Sequence, residues 1–242
     1  MKTILITGAT SGIGKALSLL CAQKHYKVIA CGRNETELEM LATHDNISTL
    51  KFDTSDQQQV AETLTDVNAD IAVMNAGVCE YVDVDTFDVA LFKRVFDVNF
   101  MGVVNCTAAL LNESQPPAQI VIVDSLARLL PFTKSQAYGA SKAALHYYTK
   151  CMEVDLAAKN ILVQSASPGF VETPLTDKND FEMPMKIGVE EAAQAFLHGI
   201  EQRHSSIYFP KKLSLILRFL NLFPAWAKFK ISSKLKNSQD SK

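Results

Sequence analysis

Lys2-Thr-Ile-Leu-Ile-Thr7 runs into Gly8-Ala-Thr10-Ser11-Gly12-Ile13-Gly14 and then into Lys15-Ala-Leu-Ser-Leu-Leu-Cys21. The short apolar run, the glycines and the helical apolar spacing that follows read as strand, tight turn and helix. Glycines in such a turn let backbone N–H groups approach an anion at a helix N-terminus, where the dipole and unpaired donors favour phosphate. The unit then recurs. A second strand, Lys27–Cys31, ends in Gly32-Arg33-Asn34 before a helix from Glu35 to about Thr43. A third, Ile47–Phe52, closes in Asp53-Thr54-Ser55-Asp56, whose last two residues suit the N-cap of a helix over 57–67. A fourth, Ala69–Met74, leads to Asn75-Ala76-Gly77, and Thr86–Leu111 reads as one long helical stretch. The fifth, Ala118–Val123, delivers Asp124-Ser125. A sixth strand lies within 159–167, a helix over 190–202, and a last strand at Ser206–Pro210. This alternation predicts an α/β fold with a doubly wound parallel sheet of about seven strands, helices on both faces and ligands at the strands' carboxyl ends.

With 242 residues and 48% hydrophobic content, the chain suits one domain, residues 1–210, with an extension over 211–242. Five scattered cysteines without C-x-x-C spacing and five dispersed histidines point to neither a disulfide framework nor a metal site. A net charge of -2 argues against a nucleic-acid surface. The first strand starts too close to Met1 for a signal peptide, and no uncharged apolar run is about 20 residues long, so a cytoplasmic protein is expected.

Chemistry concentrates at Tyr138-Gly-Ala-Ser-Lys142, thirteen residues after Ser125. On a helix from Tyr138 to about Lys159, Tyr138 and Lys142 project from one face, one turn apart. A phenol with a pKa of about 10 is a poor acid-base catalyst near neutrality. Lowering it by about three pH units takes about 4 kcal/mol, which one ammonium at about 4 Å supplies at an effective dielectric of about 20; Lys142 is expected to be that charge. Asn99, inside an apolar helix face, is costly unless bonded and is either a structural bridge or a functional group. At the end of the second strand no acidic residue stands where NAD-selective sites hold the ribose hydroxyls. Arg33 can instead grip a 2′-phosphate through charge-assisted bonds worth about 1.5–3 kcal/mol, which favours NADP(H) over NAD(H). Asn34 with Glu37 also reads as a capping box.

Together these motifs resemble the short-chain dehydrogenase/reductase family along about residues 3–210. Thr7-Gly8-x-x-x-Gly12-x-Gly14, with Thr10, Ser11 and Ile13 inside it, looks like the family's cofactor turn. Asn75-Ala76-Gly77 looks like its motif after strand four, and Asn99, Ser125, Tyr138 and Lys142 like its catalytic tetrad. Pro168-Gly169-Phe-Val171-Glu-Thr173 resembles the segment in which the backbone at Val171 and the Thr173 side chain hold the nicotinamide carboxamide. Met74 departs from the pattern, since many members have a second asparagine there. The resemblance implies a Rossmann-like fold, homodimers or homotetramers, Asp53 at the adenine ring and Thr54 among the cofactor contacts. It also implies that Tyr138 exchanges a proton with the substrate oxygen, Ser125 hydrogen-bonds that oxygen, Lys142 lowers the tyrosine pKa and binds the nicotinamide ribose, and Asn99 holds a proton-relaying water. The expected function is therefore an NADPH-dependent oxidoreductase acting on a carbonyl or alcohol, with 3-oxoacyl-carrier-protein reduction as one version. A cofactor-binding sensor or scaffold without turnover is the alternative, although a sensor has no need of an acid-base pair.

Two stretches remain. Leu175–Gly188, where charged residues alternate with Phe181, Met183, Pro184 and Met185, reads as a substrate lid over about 175–188. From Lys211 on, eight Lys/Arg face one Asp, a balance of +7, against 16 Lys/Arg and 25 Asp/Glu, or -9, in residues 1–210. Leu213–Phe223 places Ser214, Arg218 and Asn221 on one stripe beside a broad apolar face. Pro224-Ala-Trp226 then opens a lysine-bearing segment with Lys228, Lys230, Lys234 and Lys236. The tail is expected either to lie on a membrane surface, lysines toward anionic head groups, or to pack on another subunit or over the substrate pocket. The membrane reading suggests a lipophilic substrate.

Overall fold

The computed structural model describes residues 1–176 and 183–240. Seven strands form one sheet: β1 (Thr3–Thr7), β2 (Lys27–Gly32), β3 (Ile47–Lys51), β4 (Ile71–Met74), β5 (Gln119–Val123), β6 (Leu162–Pro168) and β7 (Ser206–Phe209). Their order is β3-β2-β1-β4-β5-β6-β7, every pairing parallel, with Ile4 facing Val28 on one side and Ile71 on the other. The order reverses direction between β1 and β4, and a crevice opens beyond the carboxyl ends of strands at such a switch.

Successive strand residues point to opposite faces, and β1 shows the division. Ile4 and Ile6 enter a core with Leu17 of α1 (Gly12–Gln23) and with Phe196 and Ile200 of α7 (Val189–Glu201). Leu5 enters the opposite core, with Ile120 and Ile122 of β5, Leu110 of α5 (Gly102–Leu111) and Leu145 of α6 (Gln136–Ala157). Met74 is buried in this second core, so the departure from the family pattern fills hydrophobic space.

Capping side chains set several boundaries. Asn34 Oδ1 accepts from the Glu37 N–H at 3.2 Å at the start of α2 (Glu35–Leu41). Only half of the expected capping box forms, because the Glu37 carboxylate is taken by Lys15 Nζ. Asp56 accepts from the N–H groups of Gln58 and Gln59, both at 3.0 Å, and starts α3 (Gln57–Leu64). Asp88 accepts from the Ala90 N–H at 2.8 Å, so α4 (Val89–Phe96) begins three residues later than the apolar spacing indicated. Between α4 and α5 the chain stays helical but widens into a π turn over Asp97–Met101, in which the Gly102 N–H donates to the Asp97 carbonyl. By length and composition Val89–Leu111, of mean hydropathy 1.2, would reach across a bilayer. Here Val95, Val103, Cys106 and Leu110 bury it against the sheet and its neighbours.

After β7 the tail forms α8 (Lys211–Asn221) and α9 (Ala225–Asp240). The expected polar stripe is divided: Arg218 and Asn221 are exposed, whereas Ser214 is buried, its hydroxyl donating to the Lys211 carbonyl at 2.8 Å. The apolar surface is divided as well. Leu213 and Leu217 are buried on Leu126, Leu129 and Leu130, while Leu215, Ile216, Phe219 and Leu222 face outward. Residues 177–182 of the expected lid lie outside the described residues. Its later part returns to the body, with the Glu172 N–H donating to the Ile187 carbonyl at 2.9 Å.

Candidate active site

A cleft of about 420 Å³ lies at the carboxyl ends of β1 to β4. Gly8 takes φ +66°, and a Cβ there would stand 2.8 Å from Ala76 Cα, so the turn after β1 lies directly against the segment after β4. Thr7 and Asn75 lock this approach. Thr7 Oγ1 accepts from the N–H groups of Asn75 (3.0 Å) and Ala76 (3.1 Å), and Asn75 Nδ2 donates to the Thr7 carbonyl at 3.0 Å. A Cβ on Gly14 would meet the Gly8 carbonyl oxygen at 2.3 Å, so α1 is seated on the turn itself. The helix thereby presents its first-turn donors, with Ser11 as N-cap, to the cleft.

Of the residues expected to hold a cofactor, Gly8, Thr10, Ser11, Gly12, Ile13, Arg33, Asp53, Thr54, Asn75, Ala76, Gly77 and Thr173 line the cleft. Gly14, Pro168 and Val171 stand behind the lining; the carbonyl of Val171 accepts from Thr176 Oγ1 at 2.6 Å and that of Pro168 from Ser125 Oγ at 3.4 Å. Arg33, its side chain 63% exposed, pairs with Asp53 at 3.0 Å, a contact between adjacent strand ends that their spacing did not announce. Burial works against the charged form of Asp53, but hydrogen bonds from Ser55 and the Arg33 guanidinium outweigh it and hold the carboxyl below its ordinary value. A glycine-walled cleft with helix N-terminal donors fits a dinucleotide. Cys31, Gly32, Asn34, Phe52, Val78, Val98, Pro174 and Leu175 complete the wall; of these, Gly32 and Asn34 flank Arg33 in the sequence and Leu175 opens the expected lid, while Val78 and Val98 carried no signal.

A smaller, mostly apolar cavity of about 100 Å³ receives Tyr138 and Ser125. Leu126, Phe132, Phe170 and Leu175 form part of its wall, and Leu213 and Leu217 reach it from α8. Tyr138, Lys142 and His146 follow one another at four-residue spacing on α6, hence along one face. Lys142 is 4% exposed; its Nζ donates to the Val123 carbonyl at 2.8 Å and lies 5.9 Å from the Tyr138 ring centroid. A Cβ on Gly77, in the cleft wall, would be 3.4 Å from Lys142 Nζ and 3.2 Å from Asn99 Oδ1. Asn99 is fully buried in the π turn. Its Oδ1 accepts from the Val78 N–H at 2.7 Å, and its Nδ2 donates to the Val78 carbonyl at 2.9 Å and to Ser141 Oγ at 3.0 Å. It bridges the segment after β4 and α6.

Burial pushes the Tyr138 phenol above its ordinary pKa, with Cys79 and Asp124 adding to the rise and a hydrogen bond with Ser125 opposing it. The Lys142 ammonium donates to the Val123 carbonyl beside this ring. Burial also pulls Lys142 down to about 8, against the nearby Asp124 and Cys79.

Asp124 was not anticipated. It is buried, Arg128 Nε (3.0 Å) and His146 Nδ1 (2.6 Å) meet its Oδ2, and Ser167 Oγ donates to its Oδ1. The available signals were the four-residue spacings of Asp124 with Arg128 and of Lys142 with His146. This cluster ties β5, β6 and α6 together directly beneath Ser125 and beside Lys142.

The sequence profile of the family described as short chain dehydrogenase matches residues 2–183. An uncharacterized oxidoreductase of Staphylococcus epidermidis is 30% identical over 210 residues, covering 83% of this chain and 91% of that relative. Among solved structures, a short-chain dehydrogenase from Sphingobium yanoikuyae in complex with NADPH superposes with a TM-score of 0.78 at 21% identity, over 91% of this chain and 92% of that one. 4-Hydroxyisoleucine dehydrogenase complexed with NADH does so with a TM-score of 0.74 at 26% identity, over 86% and 96%.

Proposed function

The chain belongs to the short-chain dehydrogenase family, and on that premise we propose that it reduces a lipophilic carbonyl compound with NADPH, or oxidises the matching alcohol with NADP⁺. As an oxidoreductase of this family it works with a nicotinamide cofactor. The observation that carries the finer reading is the placing of Tyr138 and Ser125 in an apolar cavity that shares Leu175 with the glycine-walled cleft. The nicotinamide supplies or accepts the hydride; the chain's own residues handle the oxygen and its proton. Ser125 and Tyr138 hydrogen-bond the substrate oxygen, which stabilises charge developing there. In the reductive direction Tyr138 gives its proton to the oxygen, and in the oxidative direction it takes the proton back. Lys142 places a positive charge behind Gly77, and Asn99 fixes the two elements that hold Gly77 and Tyr138 in register. Residues 1–210 form the catalytic domain in this reading, and the tail completes the substrate pocket.

Arg33 supports NADPH over NADH. Titration with both, followed by nicotinamide fluorescence, should show tighter NADPH binding that weakens about tenfold or more in Arg33→Ala, as loss of a charge-assisted bond requires. Equal affinities unaffected by the substitution would overturn the preference. Tyr138→Phe should bind NADPH normally yet abolish its consumption with lipophilic ketones and aldehydes, and unchanged consumption would remove Tyr138 from the chemistry.

A further inference from the structure

Helix α8 has two apolar sides. Its inner side, Leu213 and Leu217, packs on Leu126, Leu129 and Leu130 and lines the substrate cavity. Its outer side exposes Leu215, Ile216, Phe219 and Leu222, the last at 80%, and Phe223, Trp226 and Phe229 continue the exposed series across the turn into α9. A run of large apolar side chains at this density marks an interaction surface. Its charges have one sign. Lys211, Lys212, Arg218, Lys230, Lys234 and Lys236 are exposed around it, and no Asp or Glu occurs between Glu201 and Asp240. Two of the cations lie over aromatic rings, Lys230 over Trp226 at 5.4 Å and Arg218 over Tyr208 at 4.6 Å.

We propose that α8 and the first turns of α9 dock on an anionic phospholipid bilayer, apolar side chains in the interface and lysines at the phosphates. Aromatic and leucine side chains bordered by lysines gain from acyl-chain burial and head-group attraction at once, and long lysine stems extend to the polar layer while their carbons stay in the apolar one. A second copy of the chain fits less well. A two-fold contact sets the same patch against itself, which brings lysine against lysine. A head-to-tail contact onto the acidic remainder would build a ring or an open chain, in which every copy buries this face. Because the docked helix is also a wall of the cavity, a carbonyl compound dissolved in the bilayer reaches Tyr138 from the lipid side; this consequence, unlike the docking, rests on the proposed function.

Trp226 is the only tryptophan and is exposed in this face, so it reports docking without any substrate. Full-length protein would be mixed with phosphatidylcholine vesicles with and without phosphatidylglycerol, following Trp226 emission, its quenching by lipids brominated along the acyl chain, and co-sedimentation. The expected result is a blue shift, acyl-chain quenching and pelleting with anionic vesicles. Binding should weaken at least tenfold in Phe219→Ser with Leu215→Ser, and likewise in the triple substitution Lys230→Glu, Lys234→Glu and Lys236→Glu. NADPH affinity should be unchanged in both, which separates failure of docking from failure of the catalytic reading. An emission maximum indifferent to anionic vesicles would overturn the proposal. So would a lipid-free dimer in sedimentation velocity that Phe219→Ser with Leu215→Ser disperses, since the face would then belong to a second copy.

Discussion

Replacing Lys142 with methionine is expected to make the protein more stable at neutral pH even as it disables the site. Burial pulls the ammonium from 10.5 down to about 8, so the folded chain holds this proton less tightly than the unfolded chain by about 2.5 pH units. At about 1.36 kcal/mol per pH unit, the buried charge costs about 3 kcal/mol at pH 7. Between about pH 8 and 10.5 the unfolded chain binds more protons, so this contribution to stability improves as pH rises and the cost is gone above the window. Methionine is close in length and uncharged, but it leaves the Val123 carbonyl without its donor, a loss of about 1 kcal/mol. The net expectation is a gain of about 2 kcal/mol at pH 7 that falls to a small deficit above about pH 10.5. Urea unfolding of both proteins across that range, taken as a difference so that shared groups cancel, measures it directly. A difference independent of pH, or a variant less stable than the parent at pH 7, would refute the view that this ammonium is held in a desolvated place at a cost.

Gly8→Ala forces a Cβ to 2.8 Å from Ala76 Cα at a φ of +66°; it should cost at least about 1–2 kcal/mol in thermal unfolding and weaken NADPH binding, and an unchanged melting temperature would show that the turn can relax. Asp124→Ala leaves Arg128 and His146 beside an empty partner position and should destabilise by about 3–5 kcal/mol, read by urea unfolding. A loss below about 1 kcal/mol would mean that water already serves the cluster.

The succession of strands and helices and the glycine cleft were legible because they rest on local signals: apolar runs of strand length, glycines where backbones touch, and cap residues such as Asp56 and Asn34. What stayed hidden depends on backbone atoms or on elements distant in sequence. The partner of Lys142 is the carbonyl of Val123, a group every residue possesses, so no residue type betrays it. Ser167 reaches Asp124 because β6 lies beside β5, and a sequence does not give that adjacency before the sheet order is known. Ser214 reads as polar and outward, yet its hydroxyl is satisfied within its own helix and can be buried at little cost. The start of α4 was missed because Thr86 through Asp88 continue a helical pattern that only the Asp88 side chain interrupts.

The π turn at Asp97–Met101 acts as a phase adjuster in a long rod. In an α-helix, residues four apart drift by about 40°, so Val95, Asn99 and Val103 would fan over about 80°. The wider turn takes up much of that drift, and all three are buried, two seating the rod and the third reaching Val78 and Ser141. The two halves of the rod thus keep separate rotational settings, joined by one surplus residue. Deleting a single residue there would turn the first half by about 100° against the second. Glu80 would lose Arg94, which α4 now carries to within 2.8 Å of it, and the apolar stripe that seats the first half would be turned toward solvent.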